Sequence, residues 1–258
     1  MTNFLFWDNP YLTELDTKVL SVEGNAVILK DTIGYAEAGG QESDRIQINN
    51  ISVLESKLDP EKRFITYILP ENHELQPGTI AHIKIDWTRR YRLMRLHFAC
   101  ELILILMNRY FGKKRKGEEL LPEEIDHLGI VKVGAHMSEE KARIDFSLSE
   151  DIEKYFPMLQ SEFKAIIDSD FPIETGYMNH EKRHRYWRIE GLATVPCGGT
   201  HVKSTSEVGY VNLKRKRANK GVERIYISLT ERLGNIFYHE QELDNLGLLN
   251  LNFSMKSD

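Results

Sequence analysis

The sequence predicts an α+β fold, with a small β module over residues 1–87 and a mixed core over 88–258. Three observations carry this expectation. Short strand-like runs fill the first third, and no long helical pattern precedes Trp87. A proline-free run of helix-forming residues then spans 88–112. Beyond it, strands and further helices mix without the strict βαβ alternation of a parallel sheet.

Each element has its own local signal. "KVLSVEGNAVILK" (18–30) reads as two strands about a Gly24-Asn25 turn. "RFITYIL" (63–69) and "IAHIKIDW" (80–87) read as further strands, the second alternating apolar and polar residues. The helix over 88–112 takes Thr88 as its N-cap and stops at Gly112. Strands are expected at 130–136 and 142–148. A second helix is expected from Glu150 to Asp168, with Ser147 and Glu150 at capping-box spacing. Strands at 186–191, 209–216 and 224–230 follow, then a last helix from Glu231 into a leucine-rich end.

The composition bounds the function. The two cysteines, Cys100 and Cys197, are too few for a disulfide framework, so a reducing, cytoplasmic compartment is expected. No apolar run reaches transmembrane length. The start, "MTNFLFWDNPYL", lacks the basic residues and long apolar stretch of a signal peptide. A net charge of −5 argues against a general nucleic-acid coat protein, while leaving room for a local basic surface.

Chemistry concentrates in "TVPCGGTHVKST" (194–205), where Cys197 and His201 flank two glycines. The glycines favour a tight turn that presents both side chains together. In the long helix, His97, Cys100 and Glu101 stand at i, i+3 and i+4, on one face. Zinc accepts histidine nitrogen, cysteine sulfur and carboxylate oxygen in a tetrahedral shell, so His97, Glu101, Cys197 and His201 can complete one between a helix and a strand-turn. Spacing alone leaves this site and a purely structural turn both open.

"PCGGTHV" with the following "KSTSEVG" resembles the second metal motif of the alanyl-tRNA synthetase editing-domain family, which includes freestanding AlaX-type proteins. "DWTRRYRLMRLHFACELIL" (86–104) resembles the first motif, with His97 at its leading histidine. "DTIGYAEAGGQESD" (31–44) resembles the glycine-rich motif of the family's N-terminal β-barrel, and "LKRKRANKGVERIYI" (213–227) its basic hairpin. Four matches in family order span most of the chain, and the β module in front of the core fits the medium form. Two departures stand out. The first motif is H-x3-H in the family and H-x3-E here, with Glu101 as a ligand, as a general base while Cys100 or water supplies the fourth ligand, or as the cause of a lost site. The glycine-rich stretch keeps Gly39, Gly40 and Gln41, but has Ala36 and Ala38 where the family usually has proline and a further glycine.

The resemblance implies a Zn²⁺-dependent hydrolase that removes serine, and secondarily glycine, from mischarged tRNA(Ala). It implies that Thr32 reads the seryl hydroxyl and that Gly39, Gly40 and Gln41 close over the acceptor end. It further implies that Lys214, Arg215, Lys216, Arg217, Lys220 and Arg224 contact tRNA phosphates. Two other readings remain: a non-catalytic tRNA-binding module whose metal site is structural or lost, and an editing domain for another aminoacyl-tRNA such as Ser-tRNA(Thr).

Overall fold

The computed structural model describes residues 1–230. It is a mixed fold in which strands dominate and two α-helices stand among them. The helix expected from Glu231 lies outside the described residues.

A seven-stranded antiparallel sheet is built entirely from residues 14–85, in the order Ile51–Ser52, Ile46–Ile48, Ile80–Ile85, Glu14–Glu23, Ala26–Leu29, Ile65–Ile68, Glu55–Leu58. Its two edge strands are consecutive in the chain, joined only by Val53 and Leu54, so the sheet has to curl for its edges to meet. Val53 N–H donates to the Ile46 carbonyl (2.9 Å) and Leu54 N–H to that of Ile68 (2.8 Å), one on each side of the gap. Glu14–Glu23 supplies the bend. Residues 14–18 pair with one neighbour and 19–23 with the other, with an irregularity between Val19 and Ser21. The result is a curled half-barrel around a core that includes Val19, Val27, Leu29, Ile48, Ile65 and Ile83.

The second hydrophobic cluster is organised by helix α1 (Trp87–Phe111). From Leu93 to Asn108 only Arg95 and Glu101 escape full burial, the mark of a central helix rather than a surface one. Each buried Leu, Ile or Phe contributes about 1.5–3 kcal/mol, against about 1 kcal/mol for an N-cap. Packing therefore fixes this helix, and its cap is secondary. That cap is Asp86, whose side chain accepts from Arg89 N–H, and not Thr88. Gly112 does end α1, but in right-handed geometry; the left-handed residue is Lys113. Around α1 lie a four-stranded antiparallel sheet (Val131–Met137, Ala142–Ser147, Val222–Leu229, Val211–Asn219) and a three-stranded one (Glu174–Asn179, His184–Ile189, Ala193–Pro196). Helix α2 (Phe156–Asp168) packs on α1. Its expected capping box is absent. Ser147 ends a strand, Asp151 caps a 3-10 turn over Ile152–Tyr155, and Pro157 opens the α-helix.

The two clusters are bolted together by a fully buried ion pair. Arg90 on α1 donates through Nε to Asp44 (2.9 Å), pairs with it again through Nη2, and donates to the carbonyls of Ile33 (2.6 Å) and Pro10 (2.8 Å). Among the described residues no helix is long and apolar enough to cross a membrane.

Candidate metal centre

His97 is carried on the most buried stretch of α1, and Cys197 and His201 on the turn that follows Ala193–Pro196. One nitrogen or sulfur from each of the three lies within 4.8 Å of the other two. Cys197 Sγ stands 3.5 Å from His97 Nε2, and the two imidazoles are 5.0 Å apart between ring centres. Among the described residues, His201 Nε2 is the only buried side-chain nitrogen or oxygen without a hydrogen-bond partner. Orphaned buried groups of this kind are rare and costly, and here the orphan points to a missing electron-pair acceptor. Burial, and then the neighbouring His97, push the His201 pKa down to about 3, so its ring is neutral. The set fits a metal ion by donor chemistry and by geometry.

The turn is shaped by crowding. Neither Gly198 nor Gly199 has a positive φ. A Cβ on Gly199 would run into the His97 ring and stand 2.9 Å from the Gln41 side-chain oxygen. Gly199 N–H donates to the Cys197 sulfur (3.5 Å), and the Gly198 carbonyl accepts from Trp7 Nε1 (2.8 Å).

Glu101 borders this group without being one of the three. Its Oε1 is 3.5 Å from His97 Nε2, and its Oε2 accepts from Trp187 Nε1 at 3.0 Å. Burial acts to raise the carboxyl pKa. The hydrogen bond and charge of His97, with smaller help from His201 and Lys132, overcome it and hold the pKa at about 2. Burial likewise opposes the charge on His97, but the Cys197 sulfur and then Glu101 hold its pKa up to about 10. Cys100 takes no part; its thiol faces the Arg143 carbonyl (3.8 Å), and burial pushes its pKa up.

Of the glycine-rich loop, Gln41 reaches the site. It is fully buried, with Oε1 2.8 Å from His97 Nδ1 and 3.1 Å from Thr200 N, and Nε2 donating to Thr200 Oγ1 at 2.9 Å. Gly39 and Gly40 both have positive φ, and a Cβ on Gly40 would stand 2.5 Å from the Ala135 carbonyl oxygen. Thr32 is also fully buried. Its hydroxyl meets Tyr67 Oη and accepts from Gly34 N–H (3.1 Å).

The basic hairpin divides in two. Arg215 is bound to Glu223 (2.6 and 3.0 Å) and Asp151 (2.9 Å), and Arg224 is bidentate to Asp145 (2.6 and 2.8 Å). Arg217 is exposed, 4.0 Å from Glu223, and Lys214, Lys216 and Lys220 are exposed and make no ion pair among the described residues. A second basic stretch, "EKRHRYWR" (181–188), has its arginines engaged within the fold: Arg183 donates to the carbonyls of Lys62 (2.7 Å) and Thr2 (2.9 Å), Arg185 to that of Trp7 (2.8 Å), and Arg188 pairs with Glu119 (3.0 Å). Sequence reasoning passed over Trp7, Asp44, Arg90 and Trp187. Asp44 closes the quoted glycine-rich motif, but nothing local announces its partner.

Residues 185–226 match the family described as the threonyl and alanyl tRNA synthetase second additional domain. The chain is similar to the alanyl-tRNA editing protein AlaX-M of Pyrococcus horikoshii, 33% identical over 226 residues that cover 87% of this chain and 96% of that protein. The protein of the same description from Saccharolobus solfataricus is 30% identical over 254 residues, covering 89% of this chain and 99% of that one. The alanine–tRNA ligase of Methanococcus maripaludis is 29% identical over 247 residues, 88% of this chain but 26% of the ligase.

Proposed function

The chain belongs to the AlaX-M family of alanyl-tRNA editing proteins, and from that membership we propose that it is a trans-acting deacylase hydrolysing the ester of Ser-tRNA(Ala), and secondarily of Gly-tRNA(Ala), in the cytoplasm. The observation that carries the reading is the three-donor group of His97, Cys197 and His201, with the His201 nitrogen buried and unpartnered. These residues would hold Zn²⁺. A zinc ion in such a site supplies Lewis acidity toward an ester carbonyl or a water.

The chain's own groups do the rest. His97 and Cys197 surrender the proton shared between Nε2 and Sγ when those atoms become ligands. Glu101 stands beside them, its Oε1 3.5 Å from His97 Nε2. Its Oε1 is therefore read as a fourth donor, with Trp187 holding Oε2. Editing must accept what the synthesis pocket fails to exclude. Serine differs from alanine by one hydroxyl, which an apolar pocket rejects poorly. A site built to pair that hydroxyl leaves a polar group unsatisfied when alanine enters. Thr32 with Tyr67 is the polar pair in the barrel module assigned to that choice, and Gly39, Gly40 and Gln41 build the loop at the interface. Residues 1–87 and 88–258 are read as two units that share one site, and the exposed cations of the 213–224 hairpin as the tRNA contact.

Purified protein assayed for metal and for single-turnover deacylation tests this reading. It is expected to carry about one zinc per chain, as four-ligand sites do, and to release serine from Ser-tRNA(Ala) faster than from Ser-tRNA(Thr). Cys197→Ala is expected to lose both metal and turnover. Full activity in chelator, or tRNA binding with no hydrolysis of any of these esters, would overturn it.

A further inference from the structure

We infer that Gln41 is the positioning residue of the metal centre: its side-chain oxygen holds His97 with the proton on Nδ1, leaving Nε2 for the metal. The inference rests on the metal reading above and adds the residue that orients the ligand. The proton assignment follows from one group that can only donate. Thr200 main-chain N–H lies 3.1 Å from one terminal atom of Gln41, so that atom is the oxygen. The same oxygen is 2.8 Å from His97 Nδ1, so Nδ1 carries the hydrogen. The amide nitrogen donates to Thr200 Oγ1 at 2.9 Å, which closes the ring of bonds and prevents the amide from turning over. On the other side of the imidazole, Nε2 faces Cys197 Sγ at 3.5 Å. Metal-bound histidines need such a partner on the second nitrogen, which fixes both tautomer and ring orientation.

The bonds of Gln41 run to the protein's own groups. Gln41 is 0% exposed, and its side-chain oxygen and one N–H of its amide are bonded within the protein. The surrounding backbone is built to deliver it. Met137 N–H donates to the Gly40 carbonyl (2.7 Å) and Glu42 N–H to that of Met137 (3.1 Å), so Gln41 makes a single parallel bridge to the end of Val131–Met137. Gly40 lacks the Cβ that would strike Ala135, and Gly199 the Cβ that would strike both His97 and Gln41. The β module thus reaches across 56 residues of sequence to orient a ligand of the core.

Zinc affinity, measured by chelator competition with Zn²⁺ as the only ligand, tests the inference without reference to activity. Gln41→Leu leaves a shorter apolar side chain and removes the acceptor; its affinity is expected to fall about 10–100-fold. Gln41→Glu restores the acceptor and is expected to keep wild-type affinity. Cobalt-loaded Gln41→Leu should keep the absorption of the thiolate-bound ion, because Cys197 is untouched, but shift its ligand-field bands as His97 loses its fixed orientation, and Gln41→Glu should retain both. In the zinc-loaded wild type, ¹⁵N spectra should place the slowly exchanging His97 proton on Nδ1, a measurement that needs no variant to fold. A proton on Nε2, or wild-type zinc affinity in Gln41→Leu with only KM raised, would overturn the inference alone. A wild-type chain with no zinc affinity would overturn it together with the metal reading.

Discussion

Glu101 carries the largest chemical question in the chain, because a carboxylate replaces the histidine expected at that position. With His97, Cys197 and His201 as ligands, the thiolate offsets one of the two charges of Zn²⁺. Carboxylate ligation would offset the second and weaken the ion as a Lewis acid. Trp187 N–H takes one lobe of Glu101 and leaves Oε1 toward the site. Glu101→His is therefore expected to keep zinc and to keep or raise turnover on Ser-tRNA(Ala). Glu101→Ala is expected to lower zinc affinity. Zinc content and single-turnover rates of the two variants, measured together, decide the matter. A silent Glu101→Ala would remove the residue from the site, and a Glu101→His that keeps zinc but loses turnover would make it a base.

At this scale the three-donor group was legible where one segment presents its own candidate donors. Cys197 and His201 sit on one turn, and His97 stands one helical turn before Glu101. The partners of those residues were not legible, since each comes from a remote segment. Gln41 meets His97 across 56 positions, Trp187 meets Glu101 across 86, and Trp7 meets Gly198 across 191. Gly199 also shows how a correct expectation can have a different cause: the sequence suggests turn geometry, and the structure shows a steric one.

At the scale of elements, the join between barrel and helix matters most. Arg90 and Asp44 are both fully buried at the side chain, and Asp44 also accepts from Tyr35 N–H at 2.7 Å. Removing one partner of a buried pair strands the other charge and costs about 3–5 kcal/mol. Asp44→Ala is expected to lower denaturation stability by about that amount. Arg90→Met with Asp44→Leu, which removes both charges, is expected to recover much of it, as replacing both members of a pair usually does. A double variant as unstable as Asp44→Ala would mean that the hydrogen bonds to Ile33 and Pro10, and not the charge pair, hold the join. Element boundaries tell the same story about legibility. Alternation and turn signals located all four strands of the Val131–Met137 sheet and four of the seven in the first sheet, because period and face are local properties. They did not locate Ile46–Ile48, Ile51–Ser52 and Glu55–Leu58, which are too short to show a period, nor Glu174–Asn179 and Ala193–Pro196. The start of α2 was missed because a Ser-Glu spacing was weighted above Asp151 and Pro157, both stronger signals for where a helix can begin.

For the whole molecule, an acidic chain proposed to bind a polyanion would use exposed cations that no carboxylate already holds. On the hairpin, Lys214, Lys216 and Lys220 are the residues proposed for that role, whereas the guanidinium groups of Arg215 and Arg224 are engaged by Glu223, Asp151 and Asp145. Each lysine that neutralises a phosphate contributes about 0.7–0.9 to the slope of log Kobs against log salt. Replacing all three with alanine is expected to weaken tRNA binding and to flatten that slope by about 2 to 3 in total, with thermal stability unchanged because solvated charges hold little of it. Arg224→Ala is expected to do the reverse. It leaves Asp145, only 9% exposed at its side chain, to Arg143 alone, so the melting temperature should fall while the salt slope stays near that of the wild type. A triple-lysine variant with an unchanged slope would move the RNA surface away from this hairpin, and the next cations to test would be Lys113 and Lys116, beyond the end of α1.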